Sequence, residues 1–178
     1  MMDSRRKILA LGGARSGKSS FARHTAEASG LDPVLIATAT ALDAEMMARI
    51  ARHRQERGPD WLTLEEPLDL AGTVAVAAAP NRVVVVDCLT LWLTNVMLDG
   101  GNVEAEIAAL LLATRQSTGP VILVSNEVGQ GVVPETPLGR AFRDAQGQLN
   151  QAMAEACSDV VLIAAGLPLR LKPAQSPF

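Results

Sequence analysis

The chain has 178 residues with a formal net charge of −3; 48% are hydrophobic and 20% charged, and there are no Tyr, three Phe and two Trp. That length suits one domain, residues 1–178, able to bury a core without staples. The acidic balance and the shortage of stacking rings exclude a protein built to hold a nucleic-acid backbone or unpaired bases, and favour a small phosphate-bearing ligand.

Cys88 and Cys157 are too few and too far apart for a disulfide framework, and they lack the CxxC or Cys/His spacing of a zinc site. A reduced cytoplasm is the expected compartment. The basic start "MMDSRRK" leads into an apolar run, Ile8–Leu11, that stops at Gly12 and Gly13, short of the roughly 7 to 15 residues of a signal h-region. No apolar run reaches the roughly 18 to 20 residues of a membrane span.

In chain order, "KILAL" (Lys7–Leu11) is aliphatic without alternation, as expected of a strand buried on both faces of a parallel sheet. "GGARSGKSS" follows, with Gly12, four residues, Gly17, Lys18 and Ser19 in the spacing of a phosphate-binding loop. Its glycines let successive N–H groups turn inward, and the helix that follows, Ser19–Ser29, adds its positive end. Lys18 would reach the β and γ phosphates, and the Ser19 hydroxyl would hold Mg²⁺. A Gly-rich turn that binds nothing is the plain alternative; the strand before and the helix after count against it. His24, on that helix, reads as structural or exposed.

"PVLIAT" (Pro33–Thr38) is a second strand, and a helix is predicted over Asp43–Arg57. That helix carries His53 among Arg49, Arg52, Arg54 and Arg57, which helical spacing brings to adjacent turns. Arginines beside an imidazole suit polyphosphate recognition and favour the neutral, nucleophilic ring. On these residues alone, a solvated basic helix is the better reading.

"RVVVVD" (Arg82–Asp87) delivers the Asp87 carboxylate to the carboxyl end of a buried strand, where it can hold Mg²⁺; an Asp that merely caps a turn is the alternative. A helix over Val103–Gln116 and a strand over Pro120–Ser125 come next. The segment from Asn126 and Glu127 through Pro134 into a helix over Leu138–Ala156, with Arg140, Arg143, Asp144 and Asn150, has the polar density of a binding loop. "DVVLIAA" (Asp159–Ala165) is the last predicted strand, and "LKPAQSPF" reads as a frayed tail. Strands alternating with helices predict an α/β, three-layer P-loop nucleotide-binding fold with a mainly parallel sheet.

Two departures count against a GTPase switch: Thr90 where its Asp-x-x-Gly motif needs glycine, and Glu127 and Gly129 in place of an Asn-Lys-x-Asp guanine reader. Two other readings stay open on the residues: a P-loop kinase of a small metabolite without a covalent nucleotidyl intermediate, and a nucleotide-dependent regulatory module.

Several blocks in order, "GGARSGKS", "IATA…D.EM..RI..H", "W.T.EEP", "VVVDCLTLWLTN", "SNEVG.G.VPE…R.FRD..G.LNQ" and "LPLRLK", resemble the bifunctional adenosylcobinamide kinase / adenosylcobinamide-phosphate guanylyltransferases of cobalamin biosynthesis over nearly the whole chain. The resemblance implies phosphorylation of a corrinoid hydroxyl with ATP or GTP, then transfer of GMP from GTP to that phosphate. It places the GMP-carrying histidine on His53. It also implies nucleotide contacts at Gly12, Gly13, Ala14, Arg15, Ser16, Gly17, Lys18 and Ser19, at Ala37, Thr38 and Ala39, at Arg54, Gln55, Glu56 and Arg57, and at Glu65 and Asp87, with Ser19 and Asp87 on Mg²⁺. Some members have Glu at the Asp87 position, and two adjacent histidines where this chain has Arg52 and His53. A cytoplasmic homotrimer with corrinoid and nucleotide as its partners is the assembly implied.

Overall fold

A computed structural model describes residues 3, 5–39, 58 and 60–173. Its strands are β1 (Lys7–Gly12), β2 (Asp32–Ala37), β3 (Leu62–Glu65), β4 (Arg82–Asp87), β5 (Val121–Asn126), β6 (Asp159–Ala164) and β7 (Leu167–Lys172). The helices are α1 (Lys18–Glu27), α2 (Leu70–Ala77), α3 (Leu89–Leu98), α4 (Val103–Gln116) and α5 (Pro137–Ala156). One sheet runs β3-β2-β4-β5-β1-β6-β7, parallel except for β7, which returns antiparallel on β6.

The five aliphatic runs form the middle of the sheet because neither face of these strands meets water. Val83 to Val86 and Val121 to Val124 are buried throughout, as β-branched and aliphatic side chains on a pleated surface favour. On one face Ala22 and Ala26 of α1 pack over Ile8, Val85, Ile122 and Val161. On the other, Leu70 and Val74 of α2, Trp92 and Leu93 of α3, Leu110 of α4 and Leu149 of α5 enclose Leu9, Val86 and Leu123. This is the three-layer α/β arrangement that the sequence predicts.

Helix starts follow local chemistry. The Asp69, Asn102 and Thr136 side chains accept from Gly72, Ala105 and Gly139 N–H at the heads of α2, α4 and α5, and Pro137 takes the first turn of α5, where no N–H is needed. At α1 the pattern breaks: Gly17 precedes it with φ 103, and no side chain caps it. Its first-turn N–H groups are thus left without a side-chain acceptor, as they are at α3, and a helix amino end of this kind suits an anion.

Four elements escape sequence reading. β3 is short and half-exposed, so it lacks the aliphatic signature of its neighbours. β7 includes Leu171 and Lys172 of the stretch read as a frayed tail. It holds because it is an edge strand, where Pro168 needs no ladder partner on its outer side. α2 and α3 are apolar helices, α3 burying Leu89, Trp92, Leu93 and Val96, so neither shows a polar face to mark its period. The helix expected over Asp43–Arg57 lies outside the described residues. Among the described residues no helix is long and apolar enough to cross a membrane.

Candidate active site

The phosphate loop spans the gap between β1 and α1. Gly12 (φ 153) and Gly17 (φ 103) take backbone angles that side chains rarely adopt, and a Cβ on Gly12 would stand 2.4 Å from the Ile163 carbonyl oxygen. Arg15 also has a positive φ of 55. Gly13, Ala14 and Arg15 are exposed, while Lys18 is only 7% exposed. The Lys18 ammonium donates to the Gly13 carbonyl at 2.5 Å and reaches Ser16 Oγ at 3.5 Å. These contacts hold the cation over the cradle that phosphate oxygens would enter.

Two neighbouring segments brace the loop. The Gly166 N–H donates to the Ser16 carbonyl at 2.8 Å, and the Glu127 N–H donates to the Gly12 carbonyl at 3.1 Å. Gly166 lies in the β6–β7 turn, where Ala165 and Gly166 both have positive φ (52 and 80). This support from the last hairpin went unread in the sequence. The adjacent glycine, Gly166, was the signal that could have found it.

Parallel register brings Glu65, Ala37 and Asp87 into one row across β3, β2 and β4. The row continues to Val124 of β5, which belongs to the core on the α1 side, so these side chains share the face on which the loop and α1 lie. Asp87 is half-buried and Glu65 exposed. Ser19 stands half-buried in the first turn of α1. Among the described residues no three His, Cys, Asp or Glu side chains cluster as a metal cage. A hydroxyl and one carboxylate at an open edge still fit Mg²⁺, which is commonly completed by phosphate oxygens and water.

Thr38 is fully buried. Its hydroxyl donates to the Cys88 carbonyl at 2.7 Å and accepts from the Cys88 N–H at 2.9 Å. Its backbone N–H donates to the Asp87 carbonyl at 3.3 Å, and its carbonyl accepts from Asn95 Nδ2 at 2.8 Å. Thr38 and Asn95 thus fix the peptide that carries Asp87. Ala37 and Ala39 are half-buried beside them. His53, Arg54, Gln55, Glu56 and Arg57 lie outside the described residues. The other histidine, His24, is exposed on α1, its Nε2 3.2 Å from an Arg23 guanidinium nitrogen. A groove of ≈ 920 Å³ along the β7 flank of α1, lined by Arg6, His24, Val161 and Arg170, meets the loop at Gly17 and lies apart from Asp87.

The family model for cobinamide kinase / cobinamide phosphate guanyltransferase matches residues 8–171, from the first strand through the last. The chain belongs to this family. It is 52% identical over 166 residues to the bifunctional adenosylcobalamin biosynthesis protein CobP of Pseudomonas aeruginosa, covering 92% of this chain and 96% of the relative. It is 39% identical over 180 residues to the bifunctional adenosylcobalamin biosynthesis protein CobU of Escherichia coli, covering 93% and 99%. The fold also resembles that of the RadB recombinase (TM-score 0.53, 17% identity, 90% of this chain and 74% of that one), a likeness of P-loop architecture alone. Membership makes this chain a cobalamin-biosynthesis enzyme of the kinase and guanyltransferase class. Membership in this cobinamide kinase / guanyltransferase family decides against the purely regulatory reading.

Proposed function

We propose that a single domain runs both family reactions on one phosphate loop, with His53 carrying GMP between them. The supporting observation is that the loop, Asp87 and Glu65 share one sheet edge; the role given to His53 is the one the family resemblance implies. Two reactions that both need a triphosphate held by its β and γ groups then require one cradle rather than two.

In the kinase reaction the aminopropanol hydroxyl of adenosylcobinamide attacks the γ phosphorus of ATP or GTP. The bond to the bridging β–γ oxygen breaks, the hydroxyl proton passes to solvent, and Lys18 with the α1 amino end neutralises charge on the departing diphosphate. Ser19 and Asp87 would hold Mg²⁺, which supplies further neutralisation of the β and γ oxygens. In the guanylyl reaction a neutral His53 imidazole nitrogen attacks the α phosphorus of GTP, pyrophosphate leaves from the loop, and the imidazole proton is released. A phosphate oxygen of adenosylcobinamide phosphate then displaces the histidine and restores the free ring. The corrinoid is the substrate, and a cytoplasmic homotrimer is the working assembly.

Incubation with α-labelled GTP and Mg²⁺ tests the intermediate. Wild type is expected to gain a GMP adduct that adenosylcobinamide phosphate discharges, whereas His53→Ala gains none and keeps kinase turnover. An adduct persisting in His53→Ala excludes His53. Absence of any adduct in wild type, with kinase turnover intact, favours a kinase without a covalent step. Light scattering on the purified protein checks the trimer.

A further inference from the structure

β5 lies between β4 and β1, so it ends between Asp87 and the phosphate loop. Its register carries it further than β4: Asp87, the last residue of β4, stands opposite Val124, whereas Asn126 stands opposite Gly12. Asn126 is therefore two residues, about 7 Å, beyond the carboxylate on the way into the loop. Alternation fixes its face. Val124 packs in the core on the α1 side, Ser125 turns to the other face to meet Gln146 and Asn150 of α5, and Asn126 returns to the α1 side, that of Asp87 and the loop.

The backbone at Asn126 is pinned from three directions. Its N–H donates to Thr90 Oγ1 at 2.9 Å, its carbonyl accepts from Asn150 Nδ2 at 3.1 Å, and the next N–H, of Glu127, is held by the Gly12 carbonyl. Behind it, buried Ser125 donates to Asn150 Oδ1 at 2.6 Å, and Gln146 Nε2 lies 3.0 Å from both. Gln146 Oε1 is buried with no partner among the described residues, a cost that apolar packing would have avoided. So much polar structure under one strand end serves to place that end. The Asn126 side-chain amide, half-buried at the edge, has no hydrogen-bond partner of its own among the described residues.

We propose that Asn126 is a catalytic residue of the phosphoryl-transfer step, its Nδ2 donating to a γ-phosphate oxygen of the nucleotide on the loop. The assignment rests on the reading of this site as a triphosphate cradle. Lys18 approaches from the loop, and Asn126 approaches from the strand between the loop and Asp87. A neutral donor suits this position because it stabilises the γ oxygens without repelling a cation that Asp87 would hold. A diphosphate lacks the group it contacts, so the contact distinguishes GTP from GDP.

Asn126→Ala and the isosteric Asn126→Asp are tested with GTP and GDP, each with Mg²⁺, and in cobinamide phosphorylation. The alanine variant is expected to bind GDP within about twofold of wild type but GTP about tenfold more weakly, with kcat for phosphorylation about 10²-fold down. The aspartate variant, setting a carboxylate against the phosphate, falls further. An unchanged GTP-to-GDP ratio with unchanged kcat overturns the proposal. Equal loss of both nucleotides in both variants also overturns it, since that reports a collapsed loop. If wild type discriminates GTP from GDP yet never phosphorylates cobinamide, the functional reading fails alone, and the binding ratio still decides Asn126.

Discussion

At the scale of single residues, Thr38 and Gly12 show how narrow the tolerances around the loop are. The Thr38 hydroxyl both donates to and accepts from the Cys88 peptide inside the core, so an isosteric Thr38→Val would remove both of these buried hydrogen bonds, leaving the Cys88 carbonyl its bond from the Trp92 N–H. We expect a loss of about 1 to 3 kcal/mol in chemical denaturation, and weaker Mg²⁺ dependence because Asp87 loses its anchor. Gly12 offers no room for a methyl group, so Gly12→Ala should abolish nucleotide binding, read by titration with GTP, while circular dichroism stays close to wild type. The Gly-x-x-x-x-Gly-Lys-Ser spacing was legible because each residue type has one backbone or charge role. The buried hydroxyl pair of Thr38 was not legible, since a partner fifty residues away leaves no mark in local sequence.

At the scale of elements, the loop is held by the turn after β6 and by the end of β5. Gly166→Pro removes the N–H bonded to the Ser16 carbonyl and cannot adopt φ 80. It should raise the nucleotide KM of both reactions by about tenfold, measured in steady state, with smaller change in kcat. Asn150→Leu removes the clamp on the Asn126 carbonyl and leaves Ser125 and Gln146 facing an apolar side chain. A stability loss of about 1 to 3 kcal/mol is expected, checked by urea unfolding. The central strands could be read because burial on both faces makes a strand uniformly aliphatic. β3, β7, α2 and α3 could not, because edge position or an apolar composition on every side removes the polar–apolar period that marks an element.

At the scale of the molecule, the far end of the sheet is tied by charge. Arg6 at the head of β1 donates to both oxygens of Asp159 at the head of β6, at 3.2 and 3.0 Å. Burial pushes the Asp159 carboxyl up, but the Arg6 and Ser158 hydrogen bonds and the Arg6 and Arg170 charges outweigh it, holding the group below its usual 3.8. Folding thus favours the carboxylate, and its contribution is complete above that value and lost as the pH falls below it. The stability gap between wild type and Asp159→Asn should accordingly be widest near neutrality and close below about pH 4, as followed by thermal unfolding across pH. Cys157, packed beside this end, has its thiol pushed up to about 12 by burial, so alkylation of the native protein at neutral pH should spare it.

The sequence by itself determined the fold class, the phosphate loop, the carboxylate at the end of β4 and the family, because each is written in contiguous residues whose backbone or charge requirements are local. Only the tertiary structure decided which residues share the edge with the loop. The register of β4, β5 and β1 brings Asp87, Asn126 and Gly12 together, the last hairpin braces Ser16, and α5 holds the strand end. Such placement is set by pairing and packing between distant segments.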